Sequence, residues 1–176
     1  VESLKKKINI ILYEKDEKTH NLRNNFLASQ IDADLYFPMN DDVIFTLKNW
    51  DLYIDKIERL IPYNKPYSIW IKSDVKYNYL HCDFPIVNKL WFNRLNYIGN
   101  LYLFGYIDTW ICELSKLSKN FIVTKEKMIN HLNVGNKDSK EIKDNTYFDL
   151  MKFQEDDKKK WIETKHIRIK DATKLS

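Results

Sequence analysis

Two groups of side chains in this sequence have the types and positions for chemistry. The first is Asn40-Asp41-Asp42, directly after the apolar run Asp34-Leu-Tyr-Phe-Pro-Met. Adjacent carboxylates at a strand end offer hard oxygen ligands to Mg²⁺ or Mn²⁺, with open positions left for phosphate oxygens. The same residues can equally form a turn and cap the helix that follows. The second group is dispersed: Asp108 in Gly105-Tyr-Ile-Asp-Thr-Trp110, and His131 in Met128-Ile-Asn-His-Leu. A carboxylate opening a helix is an ordinary cap that can also act as a base. A histidine at a strand end can ligate a metal or simply hold a hydrogen bond.

Glycine is scarce, with three residues in 176 where an average domain carries about 7%. There is no GxGxxG and no GxxxxGK[ST], so backbone amides are not the main device for holding phosphate. A nucleotide diphosphate would need a carboxylate-held cation instead. Cys82 and Cys112 are the two cysteines. They make no disulfide framework, and His81 beside Cys82 lacks the companions of a tetrahedral zinc site. A reducing, cytoplasmic setting is expected.

The elements that must position these residues read as follows. Ile8 to Tyr13 is a short buried strand, and Thr19 caps a helix with Leu22, Phe26 and Leu27 at helical spacing. Asp34 to Met39 is a second strand. Leu47 to Ile61 is a helix stopped by Pro62, and Tyr67 to Ile71 a third strand. Tyr79 to Val87 is a strand broken by Pro85, followed by a short helix through Trp91 and Leu95. A helix runs from Asp108 or Thr109 to Leu117, and Asn120 to His131 is a further strand. Residues 133–145 are polar, and Thr146 to Lys165 is helical. This alternation predicts an α/β fold with a mostly parallel sheet. Ligands of such sheets collect at the carboxyl ends of the strands, where Asn40-Asp41-Asp42 and His131 are expected.

Order and spacing of these motifs, from Ile31 to Ser176, resemble the GT-A (nucleotide-diphospho-sugar transferase) glycosyltransferases of viruses and bacteria. Asp34 to Val43 is similar to the strand that enters their Asp-x-Asp metal motif, with Asn40 at the first acidic position. His81-Cys-Asp-Phe-Pro-Ile-Val-Asn-Lys-Leu-Trp-Phe92 resembles the acceptor side of their cleft, and the resemblance sets Asn88 and Trp110 there. Gly105 to Trp110 is similar to the motif whose Asp deprotonates the acceptor, with Ile107 replacing its neighbouring acid. His131 corresponds to a further metal ligand, and residues 133–147 resemble an acceptor-side loop.

The resemblance implies a GT-A fold, a mixed, mostly parallel sheet flanked by helices, over 1–132. A polar loop and C-terminal helical segment over 133–176 complete the same domain. A complete domain of that family opens with a further strand and helix holding the nucleotide base. Only 39 residues precede Asn40 here, so the first βα unit is expected to be missing or shortened. The implied activity is metal-dependent transfer of a sugar from a nucleotide diphosphate to a hydroxyl, with inversion. Mn²⁺ or Mg²⁺ would sit on Asp42, Asp41 and His131, Asn40 would help to hold the donor, and Asp108 would be the base. The acceptor is a glycan, a protein or a modified DNA base; in a viral setting the compartment is the host cytoplasm.

Two other classes fit the same residues. One is a GT-A-like module that binds a sugar or a partner without turnover. The other is a nucleic-acid-binding module using Lys5 to Lys7, Lys158 to Lys160 and exposed aromatics. The formal charge of +4, from 29 basic and 25 acidic residues, does not demand a nucleic-acid partner. Tyr77, Tyr79, Trp91, Tyr97, Tyr102 and Trp110 are either sugar-stacking platforms or core. No apolar run approaches the ~20 residues needed to span a bilayer, and no cleavable leader is evident, so a soluble protein is expected.

Overall fold

The structure, a computed structural model, describes residues 20–39, 42–62, 64–73, 82–99, 107–132 and 155–176. The expected strand Ile8 to Tyr13, residues Asn40, Asp41 and His81, Tyr77, Tyr79 and Tyr102, and the segment 133–150 lie outside them.

Within this range the chain is a mixed α/β structure. Its elements are α1 (His20–Gln30), β1 (Leu35–Tyr36), β2 (Val43–Phe45), α2 (Trp50–Glu58), β3 (Ser68–Lys72), β4 (Pro85–Asn88), α3 (Lys89–Leu95), α4 (Ile107–Ser118), β5 (Phe121–Lys127), β6 (Ile129–His131) and α5 (Lys165–Leu175). Residues 155–163 are also helical. No helix among the described residues is long and apolar enough to cross a membrane.

The main sheet has the order β1-β4-β3-β5. β4 is antiparallel to both β1 and β3, and β3 is parallel to β5. Strands β1, β3 and β5 therefore point the same way, with β4 reversed between two of them. β3 is buried along Ser68 to Ile71, as expected of a strand covered on both faces. Ile69 and Ile71 pack with Ile54, Phe84, Ile86, Met128 and Ile129. Trp70 points the other way, into Cys82, Cys112 and Phe121, on the side where α3, α4 and α5 join Val87, Trp91, Ile111 and Leu175. Pro85 opens β4 rather than breaking it, at a strand position where a missing N–H is tolerated.

The stretch Asn120 to His131, expected as one strand, is two strands in different sheets. Met128 makes the transfer. Its N–H donates to the Lys72 carbonyl at 2.9 Å, and its own carbonyl accepts from Thr46 N–H at 2.9 Å. β5 thus stays in the main sheet, while β6 pairs with β2 in an antiparallel ladder, Val43 opposite His131 and Phe45 opposite Ile129.

α1 turns its polar side inward. Asn21, Asn25 and Ala28 are buried, while Leu27, expected on the inner face, is exposed. The Asn25 carboxamide explains this, because its Oδ1 accepts from Ile98 N–H (2.8 Å) and Gly99 N–H (3.3 Å). Gly99 is required there: a Cβ would stand 2.2 Å from Ile107 Cγ1. The last helix extends further than the expected stop at Lys165, and α5 packs on α4.

Candidate functional site

The Asp42–His131 pair is built by the small sheet. Asp42 occupies the turn before β2, and the Leu132 N–H donates to its carbonyl at 2.9 Å. This extends the β2–β6 ladder by one rung and fixes both strand ends together. Across it, His131 Nε2 lies 3.0 Å from Asp42 Oδ2. His131 is 8% exposed, and its imidazole meets the Phe84 ring edge-on at 4.8 Å between centroids. Phe84 thus fixes the ring plane, and Asp42 fixes which nitrogen faces the carboxylate.

Asp42 is therefore not the helix cap that its position first allows. α2 starts at Trp50, after a left-handed Asn49 and after the whole of β2. A strand separates the carboxylate from the helix.

The pair sits at the carboxyl end of the parallel strands. Phe84 immediately precedes β4, whose first residue, Pro85, is opposite Trp70 near the end of β3. β5 leaves the main sheet through Met128 to deliver His131 to the same end. Asp108 belongs to this end too. α4 runs antiparallel to β3: Ser115 Oγ is 2.7 Å from Ser68 Oγ at the strand's start. Cys112 Sγ accepts from Cys82 N–H at 3.2 Å, beside the Ile71 carbonyl that Cys82 Sγ faces. One turn earlier, Asp108 lies beyond the strand's finish. Its Oδ1 accepts from Thr109 N–H at 2.7 Å. It stands on the α4 face, whereas His131 packs on the face with Phe84.

Asn88 and Trp110, expected on an acceptor side, are elsewhere. Asn88 closes β4 at the opposite end of the sheet, opposite Leu35. Its Oδ1 accepts from Trp91 N–H and Tyr67 N–H, both at 3.1 Å, and its Nδ2 donates to the Lys65 carbonyl at 2.9 Å. Every polar atom of that amide is committed to capping α3 and tying it to β3. Trp110 is fully buried, edge-on to Trp161, and has no open face for a sugar. Trp91 and Tyr97 are core as well.

The cysteine pair is not a reactive site. Both thiols are free and buried. Burial, with the neighbouring thiol adding to it, pushes Cys82 well above the ordinary range. Burial likewise pushes Cys112 up to about 12, with the negative charge of Asp108 acting in the same direction. A thiol held protonated is a poor nucleophile and a poor metal ligand.

The donor set can be tested against a cation. Asp42 Oδ1 is buried with no hydrogen-bond partner among the described residues, and such an oxygen is costly unless something satisfies it. A carboxylate oxygen in that condition, beside an imidazole, fits one side of a divalent-cation site. Among the described residues no group of three or more His, Cys, Asp or Glu closes around one point, and Asn40 and Asp41 lie outside them. Phe84 was legible only as an apolar residue; nothing in its local pattern shows that it orients a histidine 47 positions later.

Compared with protein-family models, with curated proteins and with solved structures, the chain matches none.

Proposed function

We propose that this chain is a GT-A-like glycosyltransferase domain that moves a sugar from a nucleotide diphosphate to a hydroxyl acceptor. The observation that carries the reading is the Asp42–His131 pair, 3.0 Å apart at the carboxyl end of the parallel strands. Two residues singled out for one metal centre on motif resemblance are in contact although they lie 89 positions apart in the sequence. The mixed sheet, with β4 reversed among three co-directed strands, supports the α/β class of the reading, although two of its three pairings are antiparallel where a mostly parallel sheet was expected.

Asp42, with His131, is the proposed ligand set, and Asn40 and Asp41 are its sequence neighbours. Bound there, Mn²⁺ or Mg²⁺ would neutralise charge building on the departing diphosphate. The residues of the chain do the rest. Asp42 Oδ2 holds the imidazole and Phe84 fixes its plane. Asp108, on the other face at the same sheet end, is the proposed base by motif resemblance alone: it would take the proton of an acceptor hydroxyl that reaches round that end to attack the sugar's anomeric carbon. The bond from that carbon to the diphosphate breaks, and the nucleoside diphosphate leaves with the electron pair.

The test is donor hydrolysis and sugar transfer in Mn²⁺, with the native chain, Asp42→Ala and Asp108→Ala. Loss of turnover in both variants supports the reading; metal-independent turnover, or unchanged turnover in both, removes it. A binding module without turnover is favoured by one observation: Asn88 and Trp110, the acceptor-side candidates, are consumed by the fold. Calorimetry that detects glycan binding without any nucleotide-plus-metal binding selects that alternative.

A further inference from the structure

The C-terminal helical segment is inside out. Along residues 155–175 the side chains turned inward are Asp157, Thr164, Arg168, Asp171, Ala172 and Leu175, with Trp161 half-buried among them. The spacing of four and three is unbroken through the turn at Thr164, where Arg168 N–H still donates to the Thr164 carbonyl at 3.3 Å. The inner face is one continuous stripe, so the outer face is one stripe too.

Polar contacts satisfy the inward charges. Arg168 is 2% exposed, with its guanidinium carbon 3.7 Å from the Trp161 ring centroid and its Nε 2.6 Å from Glu113 Oε2. Tyr97 O–H donates to Asp171, which also holds Lys174 at 2.7 Å. The isoleucines are left outside. Ile162 is 69% and Ile169 51% exposed, seven positions apart and hence two turns along the same outer stripe.

Around them the surface is basic. From Glu155 to Ser176 the exposed ionised side chains are Lys158, Lys159, Lys160, Lys165, Lys170 and Lys174, against Glu155, Asp156 and Glu163. Arg94 adds a further cation at the far end, where its Nη1 donates to the Lys174 carbonyl at 2.7 Å. We infer that this outer face of residues 158–174 docks on an anionic lipid surface, with Ile162 and Ile169 entering the headgroup boundary and the lysines meeting lipid phosphates and carboxylates.

Charge and apolar exposure together select that occupant. A second copy of the chain would set lysine stripe against lysine stripe, which repels. A nucleic acid would complement the lysines but leave two isoleucines against a phosphate backbone, where they gain nothing. An anionic bilayer takes both, since interfacial helices combine Lys-rich flanks with apolar side chains that enter the acyl boundary. The helix lies flat on its outer side, about 30 Å long, and does not span. The inference is independent of sugar transfer.

The test is co-sedimentation of the full chain with phosphatidylcholine vesicles, with and without phosphatidylserine. The native chain, Ile162→Ser/Ile169→Ser and Lys158→Gln/Lys159→Gln/Lys160→Gln are compared, alongside anisotropy with a labelled DNA duplex. All five sites are exposed, so folding is expected to be unaffected; unchanged urea midpoints check this. Binding only to phosphatidylserine vesicles, weakened about tenfold or more by either variant and by added salt, is the expected result. Absence of vesicle binding overturns the inference, as does vesicle binding that is indifferent to the isoleucine variant. Duplex binding without vesicle binding overturns it as well and assigns the face to nucleic acid.

Discussion

His131 Nε2 and Asp42 Oδ2 stand 3.0 Å apart across the last rung of the β2–β6 ladder. The contact exists because β5 and β6 are separate strands. Were Phe121 to His131 a single extended strand, His131 would continue along the main sheet, away from the turn that holds Asp42. Met128 redirects the chain by taking backbone hydrogen bonds from both sheets.

The pair is expected to be coupled in stability. In a double-mutant cycle of Asp42→Ala and His131→Ala, urea unfolding at neutral pH should give a coupling energy of about 1 kcal/mol. Strictly additive losses would mean that the two side chains do not hold each other in solution.

Arg168 is expected to be the dominant side chain anchoring α5. Arg168→Ala leaves Glu113 without its partner and strips the cation from Trp161 and Trp110. Glu113 retains partial solvent contact, so the loss should be about 2–4 kcal/mol rather than the full cost of a stranded buried charge. Arg168→Lys should recover less than half of it, because an ammonium cannot stack as a planar guanidinium does. Chemical denaturation measures both.

Alkaline pH should destabilise the fold through the thiols. Cys112 is raised from 9.0 to about 12 by burial, and Cys82 moves in the same direction. Below pH 9 both states keep the proton and nothing changes. Above it the unfolded chain ionises while the folded chain does not, so stability falls from about pH 9 towards pH 12. The slope is at most about 1.4 kcal/mol per pH unit for each thiol. Urea midpoints at pH 8 and pH 10.5 should converge in Cys112→Ala relative to the native chain. Neither thiol should react with an alkylating reagent until the protein unfolds.

Asn88→Ala is expected to cost about 2 kcal/mol, since it removes a helix cap and leaves Tyr67 N–H and the Lys65 carbonyl without that partner. Ligand affinity at the Asp42 end of the sheet should be untouched, and titration of the folded variant checks this.

The elements readable in advance were those with a strong local period. β3 is centred on the apolar Ile69-Trp70-Ile71, and α2 and α4 carry apolar residues at helical spacing; β3 and α4 lie within a residue or so of their expected limits, while α2 is three residues shorter at each end. Long-range hydrogen bonding decided the rest. Nothing near Asn25 announces that its amide will grip Ile98 and Gly99, so Leu22, Phe26 and Leu27 looked like the inner face of α1. α5 escaped because its inner stripe is charged: Arg168 and Asp171 are legible as surface until Trp161, Glu113 and Tyr97 are seen around them. In the site, Asp42 and His131 were identifiable by type and by position after apolar strands. Asn88 and Trp110 were not, because the same residue types serve caps and cores, and only the sheet's direction shows Asn88 at its opposite end.

The most direct measurement is calorimetric titration of Mn²⁺ into the full chain, in the presence and absence of a nucleoside diphosphate, for the native protein, Asp42→Ala and His131→Ala. The account predicts one saturable site, tightened by the diphosphate and weakened at least about tenfold by each substitution, which is the lower bound even for losing a residue that only orients a ligand. Absence of Mn²⁺ binding in the native chain, or equal affinity in all three proteins, would contradict it.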